Sequence, residues 1–174
     1  MTKKDKLLTV LSDATAAGGG IYTAQEIAYL IGEKYSPALT KFLADCAKKG
    51  LIRRVAAGLF ESTLTPPAPT TAIYKIAKKL RNHVISYISL ESQLSHTGTI
   101  SQIPMGRLTI VTKGRSGTFT TPYGVIEFTH SKKSVSSISP NLYFDSTVNM
   151  YRANTSQAIA DLKDCKRNLH MLER

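Results

Sequence analysis

The sequence predicts an α+β chain in two parts. A three-helix segment closed by a basic β-hairpin comes first, and a small basic α/β domain with a mainly antiparallel sheet and a C-terminal helix follows. Three observations predict this. Helical apolar spacing recurs three times before residue 50, two short extended runs meet at Ala56-Ala57-Gly58, and beyond a proline-rich break the pattern turns to β-branched runs punctuated by glycine.

Leu7, Leu8, Val10 and Leu11 give one apolar helical face, and Gly18-Gly19-Gly20 ends it. Ile21-Tyr22 is a short extended piece. Thr23 then caps a second helix, with Glu26 completing a Thr-x-x-Glu capping box; Ile27, Leu30 and Ile31 are its apolar positions and Gly32 stops it. Ser36-Pro37 opens a third helix, Ser as N-cap and Pro at the first helical position. That helix buries Leu39, Phe42, Leu43 and Cys46 or Ala47 and closes at Lys48-Lys49-Gly50. Leu51 to Val55 and Leu59 to Glu61 then read as a hairpin.

Three helices followed by a basic hairpin is the order of a winged helix-turn-helix, whose third helix enters the DNA major groove. Ser36, Ala38, Thr40 and Lys41 project from the polar side of that helix, which Asp45 can share, and these four are the candidate DNA contacts, with Lys41 foremost. In the wing, Arg53 and Arg54 point to opposite faces of a strand, so one of them at most meets the duplex.

Residues 66–72 hold Pro66, Pro67 and Pro69 and predict an extended, stiff linker between a domain at 1–65 and a second at 73–174. In the second, Tyr74 to Arg81 alternates apolar and basic groups, and His83 to Leu90 is compatible with a strand or a buried helix. Strand candidates follow at Ile103, Leu108–Thr112, Thr118–Thr121 and Gly124–Thr129, and a helix at Thr155–Leu172 with Ser156 or Thr155 as cap.

The chain carries 23 Lys+Arg against 12 Asp+Glu, a formal net charge of +11, which favours a polyanionic partner. The excess is uneven: residues 1–65 hold nine basic and six acidic residues, residues 66–174 fourteen and six. Lys75, Lys78, Lys79, Arg81, Lys113 and Arg115 are candidates for an extended basic surface in the second half. No apolar run approaches the roughly 18–20 residues of a membrane span, and the broken apolar pattern after Lys6 is unlike a signal peptide. Cys46 and Cys165 read as two buried thiols, and the expected compartment is the cytoplasm. The acids Glu91, Glu127 and Asp145 are scattered, and His83, His96, His130 and His170 lack ligand spacing. Phosphate-loop and dinucleotide glycine patterns are missing too. The expectation is therefore no enzyme, no metal and no cofactor.

Two stretches carry a resemblance. Ala24-Gln25-Glu26-Ile27-Ala28 with Leu43-Ala44 and Gly50 to Phe60, and Met150 to Leu162, resemble the helix-turn-helix with wing and the return strand into a final helix of the AbiEi antitoxin family. That family belongs to the type IV toxin–antitoxin systems of phage abortive infection. The resemblance implies a transcriptional autorepressor that binds double-stranded promoter repeats. It also implies neutralisation of a nucleotidyltransferase-like toxin without a stable complex. A single winged helix implies a monomer that loads cooperatively or a homodimer. The alternatives are a stand-alone winged-helix regulator with a dimerising or ligand-sensing second domain, and an RNA-directed or nucleotide-modifying enzyme.

Overall fold

The computed structural model describes residues 1–101, 106–166, 170 and 172. The chain forms two compact units, Met1–Lys79 and Leu80–Arg174.

The first unit runs α1 (Lys3–Ala16), β1 (Tyr22–Thr23), α2 (Ala24–Ile31), α3 (Pro37–Lys48), β2 (Ile52–Ala56), β3 (Leu59–Ser62) and α4 (Pro69–Leu80). The three strands make one antiparallel sheet in the order β1-β3-β2. Leu7 and Leu11 of α1, Ile27 and Ile31 of α2, and Leu39, Leu43 and Cys46 of α3 meet Ile52 and Tyr22 in one buried cluster. Burying that apolar area drives the assembly. Tyr22 enters this core with its hydroxyl satisfied, donating to the Leu11 carbonyl at 3.2 Å and lying 2.7 Å from the Thr15 hydroxyl. The caps at Thr23, Ser36-Pro37 and Gly32 (φ 74°) stand where the sequence predicts.

Three expectations are corrected here. The proline segment is not an extended linker throughout, because α4 starts at Pro69. Proline is tolerated in a first helical turn, where its missing N–H has no partner to lose. The compact units accordingly divide at 79/80 rather than at 66–72. Gly20, at φ +133°, lies so close to Pro67 that a Cβ there would sit 2.6 Å from the proline Cβ, which holds the segment against the first unit. The Thr23–Glu26 box is half formed: Thr23 Oγ1 accepts the Glu26 N–H at 3.1 Å, but the Glu26 carboxylate accepts from the Thr23 hydroxyl (3.2 Å) and Lys79 Nζ (2.6 Å) rather than from the Thr23 backbone. The complete capping box is at α1, between Thr2 and Asp5.

The second unit contains β4 (Ser86–Ile88), α5 (Leu90–His96), β5 (Arg107–Thr112), β6 (Gly117–Thr121), β7 (Gly124–His130), α6 (Val135–Ile138), a 3-10 turn, β8 (Leu142–Asp145), β9 (Met150–Ala153) and α7 (Thr155–Asp164). Its six strands lie in the order β6-β7-β5-β4-β9-β8, with β5–β7 and β4–β9 parallel and the other pairs antiparallel. The chain as a whole is thus α+β with mainly antiparallel pairing. The ambiguous run at 83–90 resolves into a three-residue strand, and α5 begins at Leu90, a non-glycine residue at φ 59°. Asn154 rather than Thr155 or Ser156 caps α7, accepting the Gln157 N–H at 2.8 Å. The strand candidate Ile103 and the helical position Leu169 lie outside the described residues.

Tyr87, Leu90, Leu94, Val111, Ala153, Ala158 and Leu162 form this unit's core. Inside it sits Asp161, 3 % exposed, accepting from Tyr87 Oη (2.9 Å), Ser89 Oγ (2.7 Å) and Gln157 Nε2 (2.8 Å). Burial pushes its carboxyl above the usual carboxylate range while those donors pull it back, and burial likewise pushes the Tyr87 hydroxyl up. A second network joins Arg152 to Asp145 (2.7 Å) and to Gln93 (2.9 Å), which donates to Tyr143 at 2.8 Å. The Thr147 hydroxyl and Arg152 hold Asp145 down at about 2.

Candidate nucleic-acid interface

Rotation of α3 is fixed by its buried stripe, Leu39, Leu43 and Cys46. At 100° per residue the opposite face is Pro37, Lys41, Ala44, Asp45 and Lys48, with Ala38 and Thr40 on its two shoulders, and all seven are exposed. Lys41 takes part in no ion pair or hydrogen bond among the described residues. Ser36 is half-buried and its hydroxyl accepts the Leu39 N–H at 3.2 Å, so it works as the helix cap. Thr40 Oγ1 donates to the Ser36 carbonyl at 3.4 Å. Burial pushes the Cys46 thiol up, as suits a core residue; Cys165 is half-buried.

The hairpin separates its two arginines. Arg53 is the cross-strand neighbour of Glu61, and its Nε donates to the Glu61 carboxylate at 2.6 Å, with Nη2 paired to the same oxygen. Glu61 is 1 % exposed, so Arg53 neutralises a buried carboxylate. Arg54, opposite Phe60, is exposed and forms no ion pair among the described residues. The strand register shifts between Arg54 and Ala56, a bulge beside the Ala57-Gly58 turn.

Two features of this region escape the sequence pattern. Packing of α1 on α3 brings Lys4 to Lys49, where a side-chain contact and the repulsion of like charges hold Lys4 below the usual lysine range. Lys3 lies over the Phe42 ring, 4.4 Å from its centroid, and pairs with Glu33 at 2.9 Å. Tyr35, just ahead of α3, is 53 % exposed.

The six cations proposed as an extended basic surface are mostly occupied. Lys75 Nζ donates to the carbonyls of Gly18 (3.1 Å) and Gly19 (2.7 Å), and Lys79 pairs with Glu26. Arg81 donates to the Arg115 carbonyl through Nε (3.1 Å) and Nη2 (2.9 Å), and its guanidinium lies 4.5 Å from the Phe128 ring. Lys113 Nζ reaches the carbonyls of Ser131 (2.7 Å) and Lys133 (2.6 Å). Lys78 and Arg115 remain as exposed side chains. Beyond them, a cleft of about 740 Å³ is lined by His130, Lys132, Lys133, Asp161 and Asp164 among others. Within it Lys133 Nζ pairs with Asp164 at 3.0 Å, and the Asp161 carboxylate is turned inward to Tyr87, Ser89 and Gln157. Among the described residues no group of His, Cys, Asp or Glu is placed to hold a metal ion, and no helix is long and apolar enough to cross a membrane.

No protein-family model matches the chain, and no curated protein matches its sequence. In structure it is similar to the RV2827C protein from Mycobacterium tuberculosis, with a TM-score of 0.61 at 10% identity over 93% of this chain. The chain spans 60% of that protein's length. The likeness is one of fold.

Proposed function

We propose that this chain is a sequence-specific DNA-binding transcriptional autorepressor and the antitoxin of a type IV toxin–antitoxin system, its first unit acting as a winged helix-turn-helix. The order α1-β1-α2-α3-β2-β3, with the last two strands as the wing, supports that reading. The observation that carries it is the outward face of α3, where Lys41, without an ion pair among the described residues, stands beside Pro37, Ala38 and Ala44 with Asp45 and Lys48 further along, joined by the exposed Arg54 of the hairpin. An exposed cation without an internal partner is what a phosphate or guanine contact requires.

The antitoxic role rests on the resemblance to the AbiEi family. The succession of β9 and α7 across Met150–Asp164 supports it, being the strand and final helix that the resemblance implies. The full-length chain carrying Lys41→Ala and Arg54→Ala tests the two roles separately. Repression of a reporter behind its own upstream DNA is expected to fall, while rescue of cells from the nucleotidyltransferase-like toxin persists. Loss of neither activity contradicts the assignment of α3 and the hairpin, and absence of rescue by the unsubstituted chain contradicts the antitoxin.

A second reading, a stand-alone regulator with a dimerising second unit, is favoured by Tyr143, Phe144 and Tyr151. These are 42%, 50% and 52% exposed on the sheet's terminal strand β8 and its neighbour. Light scattering of the full chain decides it: a dimer that Phe144→Ser makes monomeric supports this reading, and a monomer throughout removes it.

A further inference from the structure

We infer that α3 reads the C5-methyl groups of thymines, so that the sequence this chain prefers is thymine-rich where the helix enters the major groove. The inference rests on the DNA-binding reading above and adds to it the chemistry of the base contact. Between residues 36 and 44 the polar side chains are Ser36, Thr40 and Lys41. The Ser36 hydroxyl accepts the Leu39 N–H and the Thr40 hydroxyl donates to the Ser36 carbonyl, so each is turned toward the helix backbone and spends part of its hydrogen-bonding capacity there. What the N-terminal half of α3 offers a groove is therefore chiefly the Pro37 ring, the methyl groups of Ala38, Thr40 and Ala44, and the ammonium group of Lys41, with Asp45 and Lys48 exposed further along the same face.

Base edges in the major groove display hydrogen-bonding groups and a single apolar feature, the thymine methyl. A methyl-bearing helix pressed against an amino group or carbonyl of a base leaves that group without its water and without a partner, which is unfavourable. Pressed against a thymine methyl, the same surface gains apolar burial. Ala38 and Ala44 are also short enough for the helix backbone to approach the bases closely. Lys41 then supplies the leading polar contact, to an acceptor such as guanine O6/N7 or to phosphate.

The test is fluorescence anisotropy of the full-length chain on a duplex of the DNA immediately upstream of its gene, compared with the same duplex carrying deoxyuridine for every thymidine. Each buried methyl group is worth about a fourfold change in affinity, so two or more predict at least about a tenfold weaker complex with the uracil duplex. The salt slopes of the two duplexes are expected to be equal, because a methyl group carries no charge. Thr40→Ser keeps the hydroxyl and removes one methyl, and Ala38→Gly removes another. Each is expected to narrow the thymine-to-uracil ratio, with a thermal melt reporting that the chain remains folded. Equal affinity for the two duplexes, with preference for upstream over scrambled DNA intact, overturns the inference alone. No preference for upstream over scrambled DNA overturns the DNA-binding reading and the inference with it.

Discussion

Lys41 on α3 and Arg54 on the hairpin are exposed and carry no ion pair among the described residues, whereas Lys75 and Lys79 on α4, Arg81, and Lys113 beside the six-stranded sheet end on carbonyls or a carboxylate of the chain itself. The two groups of cations are chemically alike. They differ in whether folding has already supplied a partner. A lysine ammonium has three N–H donors, so one fixed on two carbonyls keeps a single donor for a phosphate and cannot swing out to meet it without giving up those bonds. The larger positive excess of residues 66–174 is therefore a weaker guide to the binding surface than the smaller excess of residues 1–65.

Substitutions that separate stability from binding sharpen this contrast. The largest stability loss is expected at Asp161→Ala, which strips three donors of a buried acceptor. About 2–4 kcal/mol of unfolding free energy should disappear in a urea titration, with DNA affinity of the folded protein unchanged. The adjacent arginines should part company next. Arg53→Ala leaves the buried Glu61 without its guanidinium and should cost about 1–3 kcal/mol, discounted because Arg53 is half solvated, with little effect on DNA. Arg54→Ala should leave the melt unchanged and lower the slope of log K against log salt by about 1. A reversal of that pair, with Arg53 carrying the salt dependence, breaks the comparison. Lys113→Met should lose about 1 kcal/mol of stability and no DNA affinity.

The smallest effect concerns pH. Asp145 is held at about 2 in the folded chain, below the roughly 3.9 of an unfolded aspartate. Its depressed value stabilises the fold above about pH 4, and that contribution is lost as pH falls toward 2. Asp161 acts in the opposite sense, since its folded value is raised: protonation favours the folded chain, and its contribution worsens as pH rises past the unfolded value. Asp145→Asn should therefore flatten the acid limb of the stability profile between pH 4 and 2, as followed by circular dichroism.

Much of the first unit was legible because its signals are local. Ser36-Pro37, Gly32 and the Leu39–Leu43–Cys46 stripe each act within one or two helical turns. Thr40 and Lys41 were legible as exposed for the same reason. The partners of the remaining cations were not, because they depend on register and on contacts distant in sequence: Arg53 to Glu61 requires the hairpin pairing, and Lys79 to Glu26 joins residues 53 apart. Clustered prolines suggested a linker where α4 begins, since Pro69 suits a first turn and Ile76 and Ala77 then bury the helix. β8 was invisible as a strand: Leu142 to Asp145 is an edge segment with no buried residue, so it lacks the alternation that marks a half-buried strand.

Whether α3 and the hairpin hold a specific duplex is decided by anisotropy across a salt series. The DNA upstream of the gene and a scrambled duplex are titrated with the unsubstituted chain and with Lys41→Ala. Tight, upstream-selective binding with a steep salt slope is expected, with a loss of about 1–3 kcal/mol at Lys41→Ala on the upstream duplex that exceeds the loss on the scrambled one. Equal weak binding to both duplexes, unmoved by Lys41→Ala, would contradict it and make the helix-and-hairpin surface a protein-docking face.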